Sequence, residues 1–233
     1  MYEGAATIIT TYYAVVPKIA YLGVLMKMGG GELAIIAGIV SVMVGSLGAI
    51  NQTKIKRMMG YSAIGHVGFM LIGIGVGTYM SIQATIVYMI IYVVMTINSF
   101  AIIRSQGIQK IVELRGLSRR NGVLGMTMGL GLMSIAGVPP LAGFYNKYLV
   151  IQSAITAGEI VIGVVAIVIS VISGFYYVRI IRYMYFKDKA EITVVTPRVG
   201  VRTGIVLGVT TYLIVTIMMY PSIVMDIAIP NIY

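Results

Sequence analysis

Residues Gly137 to Val150 read GVPPLAGFYNKYLV and lie inside an apolar stretch that runs from 122 to 152. A straight helix of about 31 residues would be about 46 Å long, which exceeds the roughly 30 Å hydrocarbon layer of a membrane. Pro139 and Pro140 remove two N–H donors and disfavour helix at the preceding residue. The stretch therefore predicts two half-helices, with the break at Gly137, Pro139 and Pro140.

A positive charge follows this break. Lys147 stands about two turns past the second proline, in a segment that is otherwise lipid-soluble. A cation near the middle of a membrane costs about 3 kcal/mol or more and marks a functional site by default. Broken helices at that depth are typical of ion-handling transporters. The alternative is a simple proline kink, with Lys147 reaching the far membrane surface.

The rest of the chain has the composition of a membrane protein. Of its 233 residues 59% are hydrophobic and 10% charged, and its mean hydropathy is +0.97, whereas soluble domains carry roughly 25% charged residues. Stretches long enough to cross a membrane lie at approximately 5–28, 33–53, 58–78, 80–103, 122–152, 157–184 and 203–226. We therefore expect a single transmembrane domain over residues 1–233, an all-α, polytopic bundle of about seven helices.

Several kinds of chemistry are excluded by what the sequence lacks. It has no cysteine and a single histidine, so disulfides, iron–sulfur ligation, cysteine-based zinc sites and a bis-histidine haem are excluded. It also has no nucleotide-binding glycine motif and no catalytic triad. We expect no cofactor or metal in this chain, and any redox chemistry should occur elsewhere.

The lysines and arginines predict the orientation. The net charge is +10, but the basic residues lie beside membrane spans and not in a soluble patch, which argues against nucleic acid as a partner. All but three of the seventeen lie in 54–57, 104–120 and 179–202, on the side of the N-terminus, whereas Lys27 alone lies on the other side. Basic short loops stay on the side of insertion, which predicts an N-terminus in the matrix or cytoplasm and a C-terminus opposite. Contact with lipid headgroups explains most of these charges.

The first span contains a second deep lysine. Lys18 is near the centre of its span, too far from either surface to reach water easily. Pro17 precedes it, and a proline inside a helix predicts a break or kink there. The alternative is a lysine that is paired only for packing.

Polar residues in the third and fourth spans add to this set. In the third span, Ser62 and His66 are spaced to share one helix face, and in the fourth, Tyr88 and Tyr92 are spaced likewise, with Asn98 further along the same span. Histidine titrates nearest neutral pH and so suits a proton relay. A histidine satisfied by a neighbour, and tyrosines that only pack, are the alternatives.

Several stretches resemble a known family in order and spacing. They are YEGAATIITTYYAVVPKIAYLGVLMK, NQTKIKRMMGYSAIGHVGFMLIGIG, YMIIYVVMTINSFAII, ELRGLSRRN, GVPPLAGFYNKYLVI and GFYYVRIIRYMYF. They resemble the antiporter-like subunits of respiratory complex I, and among these the subunit 2 type, called subunit N in bacteria. The resemblance covers nearly the whole chain.

The resemblance implies roles for individual residues. Lys18 matches the lysine of the family's eighth helix, and Lys147 matches that of its broken twelfth helix. His66 matches the histidine of the tenth helix, and Tyr88 and Tyr92 fall on the eleventh. In the family these positions belong to a protonatable axis along the membrane midplane, so the resemblance implies proton transfer by all five.

The resemblance also implies a function and partners. The leading expectation is a proton-translocating membrane-arm subunit of NADH:ubiquinone oxidoreductase, with NADH, FMN, iron–sulfur clusters and quinone bound by other subunits. The alternatives are an antiporter-like subunit of a sodium/proton antiporter or membrane-bound hydrogenase, and a structural scaffold without pumping. We expect lipids and other membrane subunits as partners, and the mitochondrial inner membrane as location, with the bacterial plasma membrane as alternative.

One part of the family pattern has no counterpart in this sequence. The first residues align just after the family's seventh helix, so only the second of two inverted five-helix repeats is complete, with one flanking helix on each side. No acidic residue lies deep in any span. We therefore expect a split gene, with a separate polypeptide carrying the N-terminal half and a membrane-embedded glutamate that partners Lys18.

Overall fold

The structure, a computed structural model, describes residues 2–186 and 199–228. These residues form ten α-helices and a short 3-10 helix, and they contain no strand beyond an isolated bridge between Lys54 and Lys110. The helices are α1 (Thr7–Met28), α2 (Gly31–Ile50), α3 (Ile55–Val76), α4 (Tyr79–Ser105), α5 (Leu117–Arg120), α6 (Gly122–Ala136), α7 (Ala142–Thr156), α8 (Ile160–Phe186), α9 (Val201–Met219) and α10 (Ser222–Ile227). The 3-10 helix spans Ile111–Leu114. The all-α bundle expected from the sequence is confirmed.

Six helices are long and apolar enough to cross a membrane, namely α1, α2, α3, α4, α8 and α9. The fifth predicted stretch is the pair α6 and α7, two helices of 15 residues each that follow one another across the break. The seventh stretch, predicted as 203–226, is also interrupted, because α9 ends at Met219 and α10 begins after Pro221. A proline disfavours the helical conformation of the residue before it, and Tyr220 there has φ of −130° and ψ of 71°, outside the helical region.

The break predicted at Pro17 was wrong. Helix α1 runs without interruption from Thr7 to Met28 with Pro17 inside it. A single proline removes one N–H donor, and the remaining hydrogen bonds of the helix keep it continuous, as is tolerated in membrane helices. The break between α6 and α7 needs two consecutive prolines and a glycine with positive φ.

Three segments meet at one end of the bundle, which we call the basic end: the loop between α2 and α3, the segment after α4, and the last turns of α8. The N–H of Ile55 donates to the carbonyl of Gln109 at 3.0 Å. Arg179 donates to the carbonyl oxygens of Ile50 and Gln52 at 2.6 and 2.8 Å, which places a cation at the C-terminus of α2. The basic residues counted for orientation therefore share one end. Lys187, Lys189 and Arg198, also counted there, lie outside the described residues.

The N-terminal residues are held at the same end by ion pairs. Glu3 pairs with Lys54 and, at 2.6 Å, with Arg57. The hydrogen bond from Lys54 and the charge of Arg57 hold the pKa of Glu3 below its usual value. Both basic residues are about half exposed, so the pairs fix the position of the chain more than they stabilise it.

Helices α2 and α3 form a closely packed hairpin. A Cβ atom added at Gly45 would lie 2.4 Å from the backbone nitrogen of Gly65, and one at Gly38 would lie 2.8 Å from the carbonyl oxygen of Gly68. Small residues allow membrane helices to approach backbone to backbone, where packing and not the hydrophobic effect holds them together. The hairpin forms one wall of the bundle and carries His66 on its inner face.

The opposite end of the bundle, which we call the far end, collects the start of α2, the end of α3 and the connection from α7 to α8. Glu32, Gly75 and Glu159 line one cavity there. Lys27 lies on the last turn of α1 and is exposed. In the part of the chain that the structure describes, the far end is therefore poor in positive charge.

Candidate functional site

The break in the middle of the bundle begins at Gly137, which caps the C-terminus of α6. This glycine has φ of 88°, in the left-handed region. Its N–H donates to the carbonyl of Ser134 at 2.9 Å, and the N–H of Val138 donates to that of Met133 at 3.0 Å. This is the Schellman pattern that ends a helix at a glycine. The chain becomes helical again only at Ala142.

The two half-helices cap each other across the break. Lys147, on α7, donates from Nζ to the carbonyl oxygen of Ala136, the last residue of α6, at 2.8 Å. In return the Oγ of Ser134, on α6, accepts the N–H of Gly143 in the first turn of α7 at 3.0 Å. Unpaired carbonyls and N–H groups at helix ends need such partners, and a cation is favoured at a helix C-terminus. The position of Lys147 thus depends on the break.

Lys147 is buried in protein, with 5% of its surface exposed. A Cβ atom at Gly137 would lie 3.0 Å from its Cδ and 3.2 Å from its Nζ, so glycine at 137 leaves the room that the lysine occupies. The Nζ lies 5.7 Å from the ring centroid of Phe69 on α3. The alternative of a lysine extending to the far membrane surface does not agree with this geometry.

Lys18 finds its hydrogen-bond partner within the chain. Its Nζ donates to the hydroxyl of Tyr92 on α4 at 2.8 Å and lies 4.9 Å from the centroid of that ring. Its side chain is half-buried where α1 packs on α3 and α4. The sequence predicted a carboxylate partner in another polypeptide, which stays a prediction; within this chain the partner is the Tyr92 hydroxyl. No carboxylate among the described residues is paired with Lys18.

His66 lies between the two lysines. Its Nδ1 shares a hydrogen bond of 2.8 Å with the hydroxyl of Tyr88, and its ring centroid lies 5.3 Å from that of Tyr92. The ring of Phe69, one turn further along α3, stacks on Tyr88 with centroids 6.0 Å apart. The Lys147 ammonium lies over the ring of the same Phe69, so this ring stands between Tyr88 and Lys147.

All five residues predicted for proton transfer therefore come together in one row across the bundle. The row runs from α1 through α4 and α3 to α7, and we call it the polar row: Lys18, Tyr92, His66, Tyr88 and Lys147. Hydrogen bonds join Lys18 to Tyr92 and His66 to Tyr88, and a ring contact joins Tyr92 to His66. Tyr88 and Lys147 are separated by the ring of Phe69, which stacks on Tyr88 and lies 5.7 Å from the Lys147 Nζ. Such an arrangement can hold and pass protons, because each member carries an N–H or O–H group that can donate or accept.

Two features of this region were missed from the sequence. The hydroxyl of Ser62 hydrogen-bonds that of Tyr177 on α8, so Ser62 does not join the polar row despite its helical spacing from His66. Asn146, next to Lys147, is fully buried. In the sequence, Asn146 directly precedes Lys147 within an apolar stretch. An amide next to a deep cation is the signal that could have identified Asn146.

The described residues contain no cluster of the side chains that usually bind a metal ion. No group of three or more histidine, aspartate or glutamate side chains lies together in them. The whole sequence has no cysteine.

A polytopic bundle with one broken helix and a row of ionisable side chains across its interior defines a membrane protein of the antiporter-like class. The family model described as "NADH:quinone oxidoreductase/Mrp antiporter, TM" matches residues 1–173. The chain belongs to this family. The matched region contains every member of the polar row.

Curated relatives agree with this family. The chain is 40% identical over 237 residues to NADH-ubiquinone oxidoreductase chain 2 of Metridium senile, covering 98% of this chain and 62% of that protein. It is 38% identical over 237 residues to NADH-quinone oxidoreductase subunit N of Paramagnetospirillum magneticum, covering 95% of this chain and 48% of that protein. The chain thus spans less than two thirds of the length of the relatives it matches.

Solved structures share the fold. A chain of respiratory complex I from Thermus thermophilus superimposes with a TM-score of 0.86 and 28% identity, covering 97% of this chain and 52% of that one. A chain of the Mrp complex from Dietzia sp. superimposes with a TM-score of 0.82 at 17% identity, covering 97% of this chain and 53% of that one. The second likeness shows the fold alone.

Proposed function

We propose that the chain is a proton-translocating membrane-arm subunit of a NADH:quinone oxidoreductase. The observation that carries this proposal is the polar row, in which contacts run from Lys18 through Tyr92 and His66 to Tyr88. Lys147 lies at the other end, beyond the ring of Phe69. Membership of a family whose relatives are subunits of that enzyme supports it. Redox chemistry belongs to other subunits, where NADH, FMN, iron–sulfur clusters and quinone are expected.

Protons move along the row by transfer between neighbouring groups. In each step one N–H or O–H bond forms as another breaks, so the row gains a proton at one lysine and releases one at the other. His66 accepts a proton at one ring nitrogen and releases it from the other, which suits it to the central position. The two direct hydrogen bonds of 2.8 Å carry the short steps. Water bridges the longer gaps.

Coupling to the redox reaction is electrostatic in this proposal. A positive charge that arrives at Lys18 raises the energy of a second positive charge at Lys147, because the interior of the bundle screens charges weakly. A change of charge at one lysine therefore changes the energy of a charge at the other, and this couples the two ends of the row.

Lys18→Ala is expected to lower proton translocation sharply in the assembled complex, because the row loses its member on α1. Lys27→Ala, on the same helix but exposed at the far end, is the matched control and should change little. The measurement is the number of protons translocated per electron in reconstituted vesicles. Equal effects of the two substitutions would contradict the assignment of Lys18.

Two other functions fit parts of the structure. An antiporter-like subunit of a sodium/proton antiporter has the same fold, as the likeness to the Mrp complex chain indicates. A scaffold of the membrane arm without pumping would need the helices but not the row. Co-purifying proteins distinguish the main proposal from the first alternative: redox subunits support the main proposal, and antiporter subunits without redox partners support the alternative. A scaffold would also co-purify with redox subunits, and normal proton translocation in both Lys18→Ala and Lys147→Ala would support it.

We further propose a location and an orientation. The charge at the basic end supports an N-terminus in the mitochondrial matrix and a C-terminus in the intermembrane space, with the bacterial plasma membrane as the alternative location. Other membrane subunits and lipids surround the bundle. That a separate polypeptide from a split gene carries the N-terminal half stays a prediction, and the identity of the chain that lies against α1 tests it.

A further inference from the structure

An outward-facing groove of about 640 Å³ lies between α1, α4 and α9, and no member of the polar row lines it. Its floor is apolar, since Val15 on α1 and Phe100 on α4 are buried there. Its rim is apolar and open, with Ile8 and Tyr12 on α1 exposed by 52% and 57%. In a chain that spans a membrane, such a groove faces either lipid or another membrane helix.

The groove has a positively charged mouth. Arg104 lies on the last turn of α4 and Arg202 is the second residue of α9, so both line the groove at the basic end. Both side chains are exposed, and neither belongs to an ion pair within the described residues. No acidic side chain in the described part of the chain lines the groove. The mouth therefore carries two positive charges without a counter-charge of its own.

The groove extends from this mouth into the membrane. On α1 it runs from Ile8 to Val16, and on α4 it runs from Arg104 back to Ile97, which is roughly 10 to 12 Å along each helix axis. Val206 continues the apolar lining on α9. One end is thus at the level of lipid headgroups, and the remainder is at the level of the acyl chains that follow them.

A second groove, on the opposite side of α9, lacks these charges. It lies between α6 and α9, has a volume of about 680 Å³ and is lined by apolar and neutral polar side chains such as Met126, Thr127 and Tyr212. No lysine or arginine that the structure describes lines it. The two grooves share α9 and are similar in size, so they differ chiefly in the charge at the mouth.

We propose that the groove between α1, α4 and α9 binds an anionic phospholipid, with its phosphate on Arg104 and Arg202 and one acyl chain along Val16 and Ile97. Guanidinium groups bind phosphate oxygens through paired N–H donors, and basic pockets between membrane helices bind anionic headgroups. A molecule with an anion at one end and hydrocarbon at the other matches both parts of the groove. The inference goes beyond the proposed function and does not rest on it, because it involves no member of the polar row.

A helix of another polypeptide is the competing occupant. Such a helix would need a carboxylate at the level of the mouth to match the two arginines, whereas an anionic lipid brings its charge to that level by its own structure. The polypeptide predicted to lie against α1 has a different side of this helix to occupy. Ile9, Tyr13 and Val24 are exposed there, about a third of a turn from the groove.

The first test is a density map of the complex that contains this chain, in nanodiscs of mixed dioleoylphosphatidylcholine and dioleoylphosphatidylglycerol. We expect a headgroup phosphate within hydrogen-bond distance of Arg104 or Arg202, and an acyl chain between α1 and α4. A protein helix in the groove overturns the proposal. An empty groove in a map that resolves other lipids does so as well.

The second test compares two photoreactive lipids, a phosphatidylglycerol and a phosphatidylcholine with the same diazirine-bearing acyl chain. Labelled peptides of the assembled complex give the ratio of the two lipids at each groove. The ratio should favour phosphatidylglycerol at the groove with the arginines and be near one at the groove between α6 and α9. Arg104→Gln and Arg202→Gln should each lower the preference about fivefold, the effect of one basic residue near a membrane surface.

Two further variants make the test specific. Arg104→Lys keeps the positive charge and should retain most of the preference. Arg182→Gln is the matched control, because Arg182 is also exposed at the basic end but does not line this groove, so its preference should equal that of the wild type. Since all three arginines are exposed, the amount of assembled complex should stay normal in every variant.

The remaining outcomes contradict the proposal. Equal labelling of the groove by both lipids in the wild type shows that it does not select an anion. A preference that survives in the double variant of Arg104→Gln and Arg202→Gln shows that other groups attract the lipid. An equal loss in Arg182→Gln shows that the overall charge of the basic end, and not this groove, is responsible. Because lipid binding is the readout, none of these results decides whether the polar row transfers protons.

Discussion

Lys147→Ala is expected to abolish or sharply lower proton translocation while leaving the complex largely assembled. The substitution removes the protonatable group at the end of the polar row. It leaves the Ala136 carbonyl without its donor, which costs about 1–3 kcal/mol. The site tolerates an apolar residue better than an unpaired charge, so the bundle should survive. Proton uptake by reconstituted vesicles during quinone reduction is the measurement.

A neighbour on the same helix provides the control. Tyr148 follows Lys147 directly, is about half exposed, and stacks on Phe144 away from the row. Tyr148→Ala should leave proton translocation close to the wild-type value. Normal pumping by an assembled Lys147→Ala complex would show that this lysine has no part in proton transfer.

Gly143→Ala is expected to prevent stable assembly. A Cβ atom there would lie 1.7 Å from the carbonyl oxygen of Ser134 and 2.5 Å from its carbonyl carbon, and both are backbone atoms that cannot rotate away. The half-helices would have to separate, which breaks the bond between Gly143 and Ser134 and moves Lys147 from Ala136. We expect a loss of about 3 kcal/mol or more. The amount of assembled complex in membranes and its thermal stability report the effect.

Gly65→Ala is the matched control for this substitution. Gly65 is also buried within a span, on α3, but a Cβ atom built on it meets nothing within 4 Å. Alanine there should assemble like the wild type, since helix propensity improves in both variants alike. If Gly143→Ala assembled equally well, the close approach of the half-helices would not be what holds the break.

The sequence predicted the break and the two deep lysines because prolines and charges are rare in apolar spans and therefore conspicuous. Pro17 was conspicuous for the same reason, yet α1 continues through it, since the local pattern does not reveal how many helix hydrogen bonds survive. The interruption at Pro221 was missed, although a proline marks it too. A proline in a span thus indicates a position worth testing, and neighbouring residues decide the outcome.

Contacts between residues that are far apart in the chain could not be predicted from the sequence. Lys18 and Tyr92 lie on helices whose packing no local pattern specifies, so a partner in another polypeptide was the natural prediction for Lys18. Helical spacing grouped Ser62 with His66, but α8 takes the serine hydroxyl. The family resemblance supplied the membership of the polar row, and the structure supplies its order and distances.

The hairpin of α2 and α3 has a mechanical consequence. Where two helices touch through glycine backbones, as at Gly45 and Gly65, no side chains intervene that could change rotamer and let the helices slide. Helices α2 and α3 should therefore move as one rigid unit. His66 is carried by this rigid pair. During turnover the histidine should therefore keep its position and serve as the fixed point of the polar row.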